Sequence, residues 1–301
     1  MPHYDTLDEE RQISQPQVSH PGDGEWTEVI SAQTNLLDLK LNEVWQYRDL
    51  IRIFVRRDFV SAYKQTVLGP VWHFVTPIFG GLINVVLFNS IAGIPTDGAP
   101  PILFQMLSLA IWNYFTQCFN GASNTFRANA GIFSKVYFPR LTVPISRSIS
   151  ALFQLGIRFI VIIGLWVYFF NKGALELPGL DLLWFPVLLL MLSVLGISLG
   201  VIASSLTVKY KDMSNFIGYA MQFLMYVSAV VYPISIIPAN YRFLVDYNPL
   251  VPVLEAFRNI ILNVGTFDTV GLLTAAGVTL AVFFPSVIIF NYTERTFIDK
   301  V

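Results

Sequence analysis

Charged residues are scarce in this sequence: Asp, Glu, Lys and Arg make up 13% of its 301 residues, against roughly 25% in an average soluble domain. Cysteine is scarcer still. Cys118 stands alone, which excludes an internal disulfide and a cysteine-based metal site. The histidines are His3, His20 and His73, none at a metal-ligand spacing, so no metal is expected. No lysine is followed by Ser or Thr, as the phosphate-binding loop of a P-loop ATPase requires, so any ATP that powers this protein is bound by another chain. Convergent nucleophiles and carboxylates are missing, and neither a catalytic residue nor a cofactor is expected. The short alternating strands of a membrane β-barrel are absent as well. The first apolar run begins far from Met1, after a polar acidic stretch, so no N-terminal signal peptide is expected.

What the sequence has is hydrophobic length. Its residues are 54% hydrophobic, and the charges cluster between runs that approach the roughly 20 residues needed to cross a ~30 Å hydrocarbon layer as a helix. About six spans are expected within a membrane domain at 70–301, at roughly 71–91, 102–125, 145–170, 182–208, 216–232 and 270–291. Pro70, Pro77, Pro186 and Pro285 fall near span ends, where a missing N–H donor costs least.

Residues 1–34 read as a mobile polar tail. Residues 35–69 hold an amphipathic helix: Leu37, Leu41, Val44, Ile51, Val55 and Phe59 share one arc, although Arg48 and Asp58 intrude on it. Such a helix can lie in the membrane interface. Residues 233–268 are mixed, with short helices expected over about 238–247 and 249–264. Glu255 and Arg258 lie in the second of these, and each costs roughly 2.5–3.5 kcal/mol at the centre of a spanning helix. A re-entrant or surface hairpin is therefore expected here instead of a seventh span. The expected fold is all-α and polytopic, with an interfacial helix before the spans and a hairpin before the last.

Lysine and arginine set the orientation. With the N-terminus inside, the cytoplasmic segments hold Arg11, Lys40, Arg48, Arg52, Arg56, Arg57, Lys64, Arg127, Lys135, Arg140, Arg147, Lys209, Lys211, Arg295 and Lys300. The outer segments hold only Lys172, Arg242 and Arg258. This bias predicts that both termini are cytoplasmic.

A proton- or sodium-coupled carrier usually places acidic residues or histidine inside its spans; here Arg158 is the one clearly intramembrane charge, with Gln154 a turn before it. It either snorkels and caps a neighbouring helix or belongs to a polar pathway. Phe216, Tyr219, Phe223 and Tyr226 recur at helical spacing and form one aromatic stripe. The stripe is either a packing or lipid-facing surface or a pathway wall, since aromatic faces stack on the C–H faces of sugars. Gly196, Gly200 and Ser204 form a small-residue face suited to close packing within or between subunits. Arg56, Arg57 and Lys64 are either positive-inside anchors or attractors of an anionic lipid head group or pyrophosphate.

Several segments, taken in order, resemble the permease subunits of type-2 ABC transporters that export bacterial surface polysaccharides, whether O-antigen, capsule or teichoic acid. These are WQYRDLI at 45–51, Arg57 with Asp58, YKQTVLGPVW at 63–72, KVYFPRLTVP at 135–144, YKD at 210–212, SAVVYP at 228–233, YNPL at 247–250 and EAFR at 255–258. The resemblance implies a multi-pass protein of the bacterial inner membrane. It implies a homodimer docked on two copies of a nucleotide-binding ATPase subunit, with a polysaccharide on a polyprenyl pyrophosphate carrier as substrate. Membrane lipids are the remaining partners, and nucleic acid is not expected to be one. It also implies that the first and fifth spans line a channel, so that Trp72, Phe216, Tyr219, Phe223 and Tyr226 become wall residues. Arg57, Lys135, Arg140 and Asp212 become candidates for coupling to the ATPase, and Arg56 and Lys64 for head-group entry. The 233–268 hairpin becomes an outer gate, with Tyr232, Pro233, Asn248, Glu255 and Arg258. O-antigen is favoured by the segments around Trp45 and Tyr63. Two other readings stand beside this one: a type-2 exporter of another lipid or of drugs, and a membrane glycosyl- or phosphotransferase.

Overall fold

The computed structural model describes residues 41–64, 69–133, 135–136, 138–210 and 212–298. The expected tail at 1–34, and parts of the interfacial segment, lie outside the described residues. Every regular element among the described residues is helical.

The interfacial segment forms two helices, α1 (Leu41–Gln46) and α2 (Arg48–Tyr63), separated by a turn at Tyr47. Helix α2 packs on α6 (Thr142–Asn171), burying Phe54 and Asp58 and leaving Ile53, Phe59 and Val60 exposed. Asp58, the residue that interrupts the apolar arc, is thus where α2 docks.

The first span is α3 (Trp72–Asn84), which runs on into a wider π-helical stretch at Val85–Ile91. Next come α4 (Pro101–Ser123) and the short α5 (Thr125–Phe133), ahead of α6. Then follow α7 (Phe185–Lys209) and α8 (Met213–Val227). The 233–268 segment contains α9 (Phe243–Asp246) and α10 (Leu250–Leu262), close to the two short helices expected there, and α11 (Thr269–Ile298) ends the described chain.

Four helical stretches are long and apolar enough to cross a membrane: Phe74–Ile91, Thr142–Asn171, Leu180–Lys209 and Thr269–Glu294. Helix α4 has the length, with 23 residues at ~1.5 Å each, but carries Gln105, Ser108, Asn113, Gln117 and Asn120. Its place explains that polarity. It packs against α3, α6, α7 and α10 and faces protein on most of its circumference, where polar groups find partners instead of lipid. Helix α8 differs from the expected fifth span, ending at Val227 after 15 residues, or ~22 Å of rise.

The main core lies between α4, α6, α7 and α10, around Phe104, Leu107, Tyr114, Phe115, Leu188 and Phe257. Gly196 and Gly200 press against α4 within the subunit: a Cβ on Gly196 would lie 3.0 Å from the Phe115 carbonyl oxygen, and one on Gly200 would overlap the Phe119 carbonyl oxygen. The small-residue face is what lets α4 and α7 approach so closely.

Candidate functional site

Beyond Val227 the chain unwinds. Residues 228–231 are not helical and are almost wholly buried, and Ala229 adopts φ 54°, a left-handed conformation that costs a non-glycine residue about 1–3 kcal/mol. Unwound backbone buried in protein persists only where its polar groups find partners. Arg258 supplies them. From α10, its Nη2 donates to the carbonyl oxygens of Ala229 (2.7 Å) and Val230 (2.9 Å), and its Nη1 to that of Tyr232 (3.4 Å) and to Glu255 Oε1 (2.7 Å). Its Nε donates to Ser108 Oγ of α4 at 3.0 Å. All five guanidinium N–H groups have a partner, and the Phe104 ring lies 4.2 Å from the guanidinium carbon.

Other side chains complete the clamp. Gln105 Nε2 donates to the Val231 carbonyl oxygen at 3.0 Å. Asn248 Nδ2 donates to Ser228 Oγ at 2.9 Å, while its Oδ1 accepts from Leu250 N at the start of α10. Glu255 Oε2 accepts from Thr266 N at 3.3 Å, which ties α10 to the chain leading into α11. The Tyr232 hydroxyl donates to the Tyr226 carbonyl oxygen at 2.6 Å, and Pro233 is buried. The hairpin residues singled out from the sequence therefore converge on one place, the broken end of α8. Gln105, Ser108 and Phe104 of α4 were not singled out. Gln105 and Ser108 carried one signal, unusual polarity in an expected span, and Phe104 carried none.

The aromatic stripe behaves oppositely. Helix α8 buries no residue, and Phe216, Tyr219, Phe223 and Tyr226 are exposed, Tyr219 to 74%. Trp72, at the start of α3, is exposed too.

The coupling candidates fall into two kinds. Lys135 and Asp212 are exposed. Arg140 is buried: its Nη1 donates to the Glu294 backbone carbonyl at 2.9 Å, its Nε lies 3.7 Å from Glu294 Oε1, and it stacks over Phe133. It thereby ties the 135–144 segment to α11. Arg57 lies over Phe54 and reaches Asp58 Oδ1 at 3.2 Å, whereas Asp58 Oδ2 faces Arg147 Nη1 of α6 at 3.0 Å. The head-group candidates Arg56 and Lys64 are exposed on and just after α2. Arg158 is only partly buried on α6, and its Nη1 has no hydrogen-bond partner among the described residues. No group of three or more His, Cys, Asp or Glu side chains among the described residues could hold a metal ion.

Relatives of this chain carry one name. The O-antigen export system permease protein RfbA of Klebsiella pneumoniae is 23% identical over 253 residues, which are 83% of this chain and 94% of that protein. A second Klebsiella pneumoniae protein of that name is 24% identical over 237 residues, 78% of this chain and 88% of its own length. The Myxococcus xanthus protein of the same name is 22% identical over 265 residues, 87% of this chain and 98% of its own. Residues 49–262 match the ABC-2 type transporter family, a stretch that takes in α2 through α10 with the clamp and the stripe, and the chain belongs to that family.

Proposed function

We propose that this protein is the membrane permease of an ABC exporter that carries O-antigen, linked to polyprenyl pyrophosphate, across the bacterial inner membrane, with ATP hydrolysed by a separate subunit. The observation that carries this reading is the match to O-antigen export permeases over nearly their whole length, up to 98% in one case. The absence of a phosphate-binding lysine motif from the sequence is consistent with an ATPase on another chain.

In this reading the subunit crosses the membrane six times. Helix α4 and the α8 segment supply the two crossings beyond the four apolar ones, both termini are cytoplasmic, and 233–268 is an outer re-entrant hairpin. Two copies pair with two ATPase subunits. The exposed faces of α3 and α8 meet across the dimer axis, so that Trp72 and the α8 stripe wall a path for the glycan. Neutral aromatic walls suit sliding, because stacking on sugars is weak and tolerates any register. Lys135 and Asp212 contact the ATPase directly. Arg57 and Arg140, held by Asp58 and Glu294, transmit its motion to α6 and α11. Arg56 and Lys64 attract the anionic carrier head group at the interface. Tyr232, Pro233, Asn248, Glu255 and Arg258 form the outer gate, with Arg258 and Glu255 as its fixed frame.

Deleting the gene in a strain that makes O-antigen should abolish polymer-bearing lipopolysaccharide at the cell surface and leave polymer inside. The wild-type chain, expressed together with its ATPase, should restore it. Unchanged surface O-antigen after deletion would overturn the reading.

A further inference from the structure

Where α2, α4, α5 and α6 meet, they line an open cavity of about 440 Å³, within the roughly 300–1,000 Å³ range of small-molecule sites. None of its lining residues belongs to α3 or α8, so it is separate from the proposed channel wall. It lies at the end of the bundle assigned to the cytoplasm by its arginines.

Its chemistry is unusual for a membrane protein. Five carboxamide side chains line it: Gln117, Asn120, Asn124, Asn129 and Gln154. The charges at its wall are paired, two arginines sharing one carboxylate. Asp58 takes Arg57 on one oxygen, at 3.2 Å, and Arg147 on the other, at 3.0 Å, with Ser150 Oγ donating to that second oxygen at 3.4 Å. A bound metal cation finds no unpaired carboxylate here, and both guanidiniums are engaged by Asp58, Arg147 through Nη1. Gly121 permits this arrangement, since a Cβ there would lie 2.6 Å from Cβ of Arg147.

What most of the wall offers a ligand is neutral hydrogen bonding. Asn124 Nδ2 and Asn129 Nδ2 donate to the carbonyls of Asn120 (3.0 Å) and Thr125 (2.9 Å), which leaves their side-chain oxygens as acceptors. The side chains of Gln117, Asn120 and Gln154 make no hydrogen bond among the described residues, and each offers both a donor and an acceptor. A set of groups that donate and accept at short intervals complements a ligand whose groups do the same. Neighbouring hydroxyls on a sugar ring are that ligand. Lipid tails and apolar drugs would leave the carboxamides desolvated and unpaired, at the cost of burying polar groups without partners.

We propose that this cavity binds a neutral sugar unit on the cytoplasmic side, a recognition site distinct from the aromatic path. Its biological sense rests on the export reading, but its binding is measurable without export. The experiment uses the full chain with its ATPase subunit in lipid nanodiscs. Saturation-transfer NMR is recorded against D-glucose, D-galactose, D-mannose, L-rhamnose and N-acetylglucosamine, with inorganic pyrophosphate as a separate arm. Wild type should transfer saturation to at least one sugar, and Gln117→Met with Gln154→Met should lower that transfer about tenfold while the ATPase still co-purifies. Three results would overturn the proposal: no transfer to any sugar, transfer unaffected by the double variant, or a signal from pyrophosphate alone. Loss of ATPase co-purification in the double variant without any sugar signal would also overturn it, identifying the cavity as a protein-docking cleft. Sugar binding in a strain whose deletion leaves O-antigen unchanged would break the export reading and leave the site standing; the reverse result would do the opposite.

Discussion

Helices α8 and α10 are joined through the Arg258 clamp and treat their chemistry in opposite ways. Helix α10 carries Glu255 and Arg258, the kind of residues a membrane disfavours most, and buries both. Helix α8 carries large aromatics, which a core would readily take, and buries none of them. The difference has one origin. The early end of α8 leaves carbonyl groups without helical partners, and a buried guanidinium with five donors is the group best able to take several of them at once. Having its end fixed from α10, α8 needs little packing of its own along its length, and its faces are left for a second surface. Burial of charge at one helix thus accompanies exposure of apolar area at the other.

That contrast can be broken first at the clamp. Arg258→Met keeps the bulk but strands Glu255 and the carbonyls of residues 229, 230 and 232. Losing one partner of a buried pair costs about 3–5 kcal/mol, so the variant should melt well below wild type in detergent or accumulate poorly. A melting point equal to wild type would show that the unwound segment holds itself. A smaller effect tests the packing behind the clamp. Gly200→Leu should destabilise the fold by about 1–3 kcal/mol or more through overpacking against α4. Gly218→Leu on α8, where an added Cβ meets nothing within 4 Å, should be near neutral, and equal losses from the two would erase the contrast between a packed helix and an open one. The smallest effect on stability is expected on the stripe itself. Tyr219→Ala with Phe223→Ala should shift stability by no more than about 0.5 kcal/mol per site, yet lower surface O-antigen markedly. Normal surface polymer would remove the stripe from the path, and a large loss of stability would show that these rings are packed, not open.

Much of the architecture was legible because hydropathy is a local property. Expected spans at 145–170 and 182–208 correspond to α6 and α7, and the hairpin's two short helices to α9 and α10, since each run of apolar residues or prolines acts on its own neighbourhood. The limits appear where a local signal and a distant partner disagree. Residues 228–231 read as more apolar helix, but the chain unwinds there because Arg258 supplies hydrogen bonds from 28 and 29 residues away. Asp58 read as a flaw in an amphipathic arc, and its partner Ser150 stands 92 positions on. Arg140 read as a candidate coupling charge, and its partner Glu294 lies 154 positions on.

By itself, then, the sequence determined that this chain carries membrane-spanning helices and which segments carry its family likeness. Those properties rest on composition and on runs of neighbouring residues. Only the tertiary structure decided which polar residues are partners: that Glu255 and Arg258 frame the end of α8, that α4 is the polar centre of the bundle, and that five carboxamides from three helices and the turn between two of them surround one cavity. Pairing between distant side chains depends on how helices cross, and helix crossing is set by the packing of whole faces, which no short stretch of sequence contains.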